Sequence, residues 1–186
     1  MFAPDLKKNF AHRAWLARWL AIVPDYIAWQ IAQESSPSAC EVSVRNPQAD
    51  GLTLTGRLDR IDKNSNGLRI LDYKTGPADK QADVSSGEAT QLIFYALLAG
   101  QSYSEYVERV EYVLLDKASV KSGAYAEGEE LARLRTLTAQ RLDTMITALR
   151  EGAAAPAWGD IKTCERCEMQ GLCRRQAWPV PQTPHV

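Results

Sequence analysis

The chain lacks a charge imbalance: 22 Lys and Arg stand against 23 Asp and Glu over 186 residues, for a net charge of −1. Overall charge therefore gives no support to a nucleic-acid-binding surface, although a local excess could still serve one. No apolar window reaches the length of a membrane-spanning helix. The N-terminal stretch is interrupted by Lys7, Lys8, Arg13 and Arg18 and does not read as a signal peptide. A cytoplasmic setting, with reduced cysteines, is the expectation. No glycine-rich phosphate loop is present, which disfavours phosphoryl transfer from a nucleotide, and there is no internal repeat. What the chain does have is 45% hydrophobic residues, enough for a single core.

Residues 5–34 read as helical, with Phe10, Trp15, Trp19, Leu20 and Ile27 as the greasy face and Pro24 dividing the stretch into two helices. Strands are expected near 40–46, 51–61 and 67–74, with Asn64-Ser65-Asn66-Gly67 as a hairpin turn between the last two. Residues 75–87 are polar and read as a loop. An apolar helix over 88–100 follows, then a strand from Val107 to Leu115, a loop over 116–126 and an amphipathic helix over 127–151. The order is α/β: a small mixed sheet flanked by helices, with no convincing second domain. One unit over 1–186 is expected, made of N-terminal helices (1–34), an α/β core (40–151) and a cysteine segment with a Pro-rich tail (152–186).

The chemistry concentrates in Gly56-Arg57-Leu58-Asp59-Arg60-Ile61-Asp62 and Leu71-Asp72-Tyr73-Lys74-Thr75-Gly76. Asp59 and Asp72 are thirteen residues apart, and Lys74 lies two beyond Asp72. On an extended strand, Asp72 and Lys74 emerge on the same face. A carboxylate beside an ammonium is a metal ligand beside a charge stabiliser, the pair that phosphodiester hydrolysis needs. Mg²⁺ or Mn²⁺ takes hard oxygen ligands and acidifies bound water. Asp59 and Asp72 would be the carboxylate ligands, with the Tyr73 main-chain carbonyl a third. Lys74 would orient the water or stabilise developing charge.

This pattern, D-x₁₂-D-x-K followed by Gln91-x₃-Tyr95 and then Cys164-x₂-Cys167-x₅-Cys173, resembles the PD-(D/E)XK nuclease superfamily in its RecB/AddB branch. The resemblance covers residues 40–175 and implies a restriction-endonuclease-like core with Asp59, Asp72 and Lys74 as the catalytic set. It also implies that Gln91 and Tyr95, one helical turn apart, support the site or meet the DNA backbone. Arg60 would take a similar supporting or DNA-binding part. The implied activity is a metal-dependent deoxyribonuclease, exonuclease rather than endonuclease, working in DNA end processing with a helicase module in the same chain or as a partner subunit. The cysteines resemble those that hold a 4Fe–4S cluster in AddB-type nucleases.

Plainer readings stand beside these. Arg60 and Asp62 could be a charge pair near a turn, Tyr95 core packing with Phe94 and Leu98, and Glu41 a solvated strand end. Arg57, Arg60, Lys63, Arg69, Lys74 and Lys80 could form a phosphate-facing patch or a solvated face. A closed metal cluster wants four ligands. Beyond the three clustered cysteines only Cys40 remains, with His185 a remote option. His12, without a preceding glycine motif, reads as a helix-surface residue rather than the family's histidine. The missing histidine and upstream cysteine suggest a C-terminal piece of a longer protein. The alternative to an enzyme is a catalytically silent DNA-binding or scaffolding module; a zinc-ribbon-like interaction module is a weaker one.

Overall fold

The computed structural model describes residues 10–48, 51–116, 119–154, 164–165, 167–174 and 177, and the side chains from His12 onward. The expected helical residues 5–9 and most of the C-terminal tail, His185 included, lie outside them. Two compact units are present, residues 1–140 and 141–186. The first runs α1 (Phe10–Ile31), β1 (Ser36–Pro47), β2 (Thr53–Lys63), β3 (Leu68–Lys74), α2 (Gln81–Ser86), α3 (Gln91–Ser102), β4 (Val107–Asp116) and β5 (Ser119–Glu127). The boundary falls within α4 (Gly128–Arg150), and the second unit adds the short α5 (Gln170–Cys173).

The five strands lie in chain order. Neighbours are antiparallel except β3 and β4, which run parallel from Arg69↔Arg109 to Lys74↔Leu114. A parallel pair needs a crossover over one sheet face, and α2 with α3 supplies it. This is the mixed, helix-flanked α/β sheet of the restriction-endonuclease-like fold.

β3 is the central strand of the sheet and is buried on both faces. Ile70 joins the core under α3, with Leu58, Ile61, Leu92, Ile93, Leu98, Val110 and Tyr112; Leu71 joins the opposite core, with Ile22, Val113, Leu115 and Val120. A strand buried on both sides reads as an apolar run, which is why Leu68–Leu71 was legible. The turn before it is closed by Asn64, whose Oδ1 accepts from the N–H groups of Asn66 (2.8 Å) and Gly67 (3.0 Å). Gly67 has φ +147°, and a Cβ there would meet the Tyr106 carbonyl oxygen at 2.3 Å. Gly56 is also required by space: a Cβ would sit 2.5 Å from Leu98 Cδ1, so its absence lets α3 settle onto β2.

Four expectations are corrected. Pro24 does not divide the N-terminal helix: α1 is continuous. Proline removes one N–H and frees the carbonyl four residues back, here that of Leu20, which is 60% exposed and so on a face open to water. The greasy residues that are buried are also different ones: Trp15, Trp19, Leu20 and Ile27 are exposed while Ile22, Tyr26 and Trp29 pack on the sheet. Residues 75–87 contain α2, whose single buried side chain, Val84, leaves no periodicity to read. Residues 119–127 form β5, which contributes only Val120, Ala124 and Ala126 to the interior. Small residues and Gly123 weaken its strand signature. Gly123 lies in close approach to Tyr112 Cβ, 3.1 Å from a Cβ built there, beside the irregularity at Glu111/Val113.

Candidate active site

Side-chain alternation on β3 sets the site. Asp72 and Lys74 face α3, while Tyr73 faces α1 between them. Beyond the pairing Arg60↔Leu71, β2 leaves β3. In the gap that opens, Asp59 Oδ2 accepts the Tyr73 N–H at 3.0 Å. The N–H and C=O of one strand residue point to the same side, so the Tyr73 carbonyl faces that gap as well.

Gln91, the first residue of α3, ties the other groups together. Its Nε2 donates to Asp72 Oδ1 (3.1 Å) and to the Tyr95 hydroxyl (3.0 Å), and its Oε1 accepts from Lys74 Nζ (2.8 Å). The Tyr95 ring packs against the α3 core, so this residue combines packing with a polar contact. Asp72 is 3% exposed. Lys74 Nζ lies 2.8 Å from its Oδ2, yet no donor is aligned on that buried oxygen. Burial, with smaller contributions from Asp59 and Asp79, raises the Asp72 pKa above the usual carboxylate range, against the pull of Lys74.

That shift makes a prediction. A carboxyl whose folded pKa lies above its unfolded value, about 3.9, costs no stability below that value. The cost appears as pH rises through the folded pKa. Asp72→Asn is therefore expected to melt higher than the wild type in EDTA at neutral pH, with the difference shrinking towards pH 3. Thermal melts across that range check it; a variant less stable at pH 7 than the wild type would contradict it.

Two residues of this neighbourhood were not legible in the sequence. Asp79 Oδ2 accepts from the Tyr112 hydroxyl at 2.7 Å, and the Tyr112 ring lies under Lys74, 4.9 Å from Nζ to centroid. Burial first, and then the bond to Asp79, raises the Tyr112 pKa, so the phenol stays protonated and donates. Asp79 lies in a segment read as loop and Tyr112 in a strand to which no functional residue was assigned. Neither carries a spacing signal, and only the crossover brings them together.

Arg60, expected to support the site or meet DNA, is 3% exposed. Its Nε and Nη2 donate to Asp62 (2.5 and 2.7 Å) and its Nη1 to the Tyr26 (2.9 Å) and Tyr73 (3.1 Å) hydroxyls. It thus braces α1 against β3, and the Arg60–Asp62 pair is interior rather than half-buried. Three further members of the basic patch are ion-paired: Arg57 with Glu41, Lys63 with Glu105 and Arg69 with Glu111. Glu41 is exposed and ion-paired with Arg57, but it lies inside β1 rather than at its end, in the left-handed region with φ +53°, between the paired residues Cys40 and Val42. His12 is half-buried rather than on the helix surface.

The oxygens around the gap suit a hard cation: a buried carboxylate oxygen without an aligned donor, a second carboxylate and a main-chain carbonyl. Among the described residues, no group of three or more His, Cys, Asp or Glu side chains is arranged to hold a metal. This includes the cysteine segment. There Cys167 N–H donates to the Cys164 carbonyl (3.2 Å) and Met169 N–H to Cys167 Sγ (3.4 Å). Cys40 is exposed on β1. Three clustered thiols fall short of the four that a 4Fe–4S cluster takes.

A protein of Eubacterium rectale, assigned but not demonstrated as an exonuclease, has a similar structure, with a TM-score of 0.51 at 15% identity over 91% of this chain. The chain spans 61% of that protein's length. SSO0001, at 15% identity and a TM-score of 0.37 over 86% of this chain and 70% of its own, is too distant in structure to support an argument. No curated protein matches at a significant level. The family model of the PD-(D/E)XK nuclease superfamily matches residues 2–174. With β3 carrying Asp72 and Lys74 on one face and Asp59 across the gap, the chain belongs to the PD-(D/E)XK nuclease superfamily.

Proposed function

We propose that this chain is a metal-dependent DNA nuclease domain of RecB/AddB type that hydrolyses phosphodiester bonds, by exonuclease rather than endonuclease action, in DNA end processing. The observation that carries the reading is the bridge made by Gln91, which holds Asp72 and Lys74 together beside the gap that Asp59 enters. Asp59, Asp72 and the Tyr73 carbonyl would hold Mg²⁺ or Mn²⁺. When bound, such an ion acidifies water and offsets phosphate charge. Lys74, a cation fixed by two partners, stabilises negative charge developing on the phosphate. Gln91 keeps its ammonium from collapsing wholly onto Asp72, and Tyr95 holds Gln91 from behind. A helicase partner belongs to the same proposal by resemblance alone.

Linear and circular DNA, single- and double-stranded, incubated with Mg²⁺, Mn²⁺ or EDTA tests this. Cutting of linear DNA with either metal and none in EDTA is expected, with circles resistant. Rapid cutting of circles would replace the exonuclease reading by an endonuclease one. No cutting of any substrate by the folded protein would leave the DNA-binding module.

A further inference from the structure

On α1, Trp15, Arg18, Trp19 and Ile22 follow the i, i+3, i+4, i+7 spacing of a single helix face. The same stripe continues into Tyr26 and Trp29, which pack on the sheet with Ile22. Ile22 is 6% exposed, whereas Trp15 and Trp19 are 54% and 46% exposed. The face that is core at Ile22 therefore overhangs the strand ends. Below the overhang lies a groove of about 520 Å³, bounded across from the helix by Thr75, Leu115 and Asp116. That is the size range of ligand sites.

Three features identify what fits there. The walls are two indoles with a guanidinium between them in sequence, and Arg18 lies 5.9 Å from the centre of the Trp15 ring. Aromatic faces and arginine form the platforms on which unpaired bases stack without sequence preference. Arg18 offers a positive charge to a phosphate, although Asp116 on the far wall sets a limit on how many the groove can take. Finally, Thr75 follows Lys74 at the end of β3, so the groove on the α1 face and the proposed cutting site on the α3 face lie at the same strand end, and a strand rounding that end would reach both. The helix is held in place there: Tyr26 and Tyr73 share a 2.7 Å hydroxyl bond, and Asp25 Oδ2 accepts the Val120 N–H.

We propose that this groove binds unpaired bases of a DNA strand whose backbone crosses the Asp72–Lys74 site, stacking them on Trp15 and Trp19. The inference rests on the nuclease reading above and names single-stranded ends as the form of substrate that site receives.

The test is a fluorescence titration of the full chain with a twelve-residue oligothymidylate, with Ca²⁺ in place of Mg²⁺, beside a blunt hairpin duplex. Saturable quenching of tryptophan emission is expected. Trp15→Ala and Trp19→Ala should each weaken oligothymidylate binding by roughly 5–150-fold, the range given by about 1–3 kcal/mol per stacked base. Trp15→Phe, which keeps a ring, should retain most of the affinity, and all three variants should keep the wild-type circular dichroism. Absence of quenching in the wild type, or alanine variants that bind as tightly as it does, would overturn the proposal. So would equal weakening of duplex and single strand. A wild-type dimer by sedimentation that both alanine variants dissociate would assign the face to a second copy instead. Failure of the nuclease reading shows separately, as no cutting of the same oligonucleotide by the wild type in Mn²⁺.

Discussion

Lys74→Ala is expected to cut linear DNA on the order of 10²–10³-fold more slowly than the wild type, the usual effect of deleting one preorganised charge stabiliser. The size follows from how the ammonium is held. Nζ has Asp72 Oδ2 and Gln91 Oε1 each at 2.8 Å and the Tyr112 ring beneath it, and only 24% of the side chain is exposed. A charge fixed and partly desolvated in this way does not reorganise when the phosphate arrives. Folding is a separate readout: Lys74→Ala leaves the buried Asp72 carboxylate without its cation, a loss of up to about 3–5 kcal/mol, so rates are compared where both proteins are folded. Lys74→Arg is not expected to restore cutting, because a planar fork cannot occupy the place of a compact ammonium between Asp72 and Gln91. Cleavage rates and thermal melts on the same preparations check both statements. Equal cutting by wild type and Lys74→Ala would place the chemistry elsewhere.

Arg60→Met is expected to unfold far more readily, by about 3–5 kcal/mol, the cost of leaving one charge of a buried pair behind. Asp62 is fully buried and would keep only the Ser35 hydroxyl, at 3.1 Å, while the Tyr26 and Tyr73 hydroxyls would lose a charged donor. At 2–4 °C per kcal/mol, melting should fall by on the order of 6–20 °C. Replacing both members, as Arg60→Met with Asp62→Leu, removes the stranded charge, and should recover most of that loss. Thermal melts of the two variants decide it. A double variant as unstable as the single would mean that the tyrosine contacts, not the ion pair, are what α1 depends on.

These residues mark how far local sequence reaches. Asp72 and Lys74 were assigned to one face because strand alternation has a period of two, and the fold keeps that rule. Gln91 and Tyr95 were legible as a helical pair for the same kind of reason. That Gln91 Oε1 would meet Lys74 could not be read, because the contact depends on how α3 lies across the sheet. Arg60 and Asp62 were visible as a charge pair; their burial was not, since it comes from α1 covering them with Tyr26 and Trp29. Trp15 and Trp19 were read as part of a greasy face, and their exposure was not legible, because apolar periodicity reports a face and not what lies beneath it.

The sequence by itself determined the superfamily, the strand that carries Asp72 and Lys74 on one face and the hairpin that joins it to the strand before it. All of these rest on spacing along one element or between neighbours joined by a short turn. Tertiary structure alone decided which part of the apolar stripe of α1 is buried, that Asp79 and Tyr112 stand beside Lys74, and that Arg57, Lys63 and Arg69 are taken up in ion pairs. Those outcomes depend on contacts between residues far apart in the chain, such as Arg69 with Glu111 and Asp25 with Val120, which no local pattern encodes.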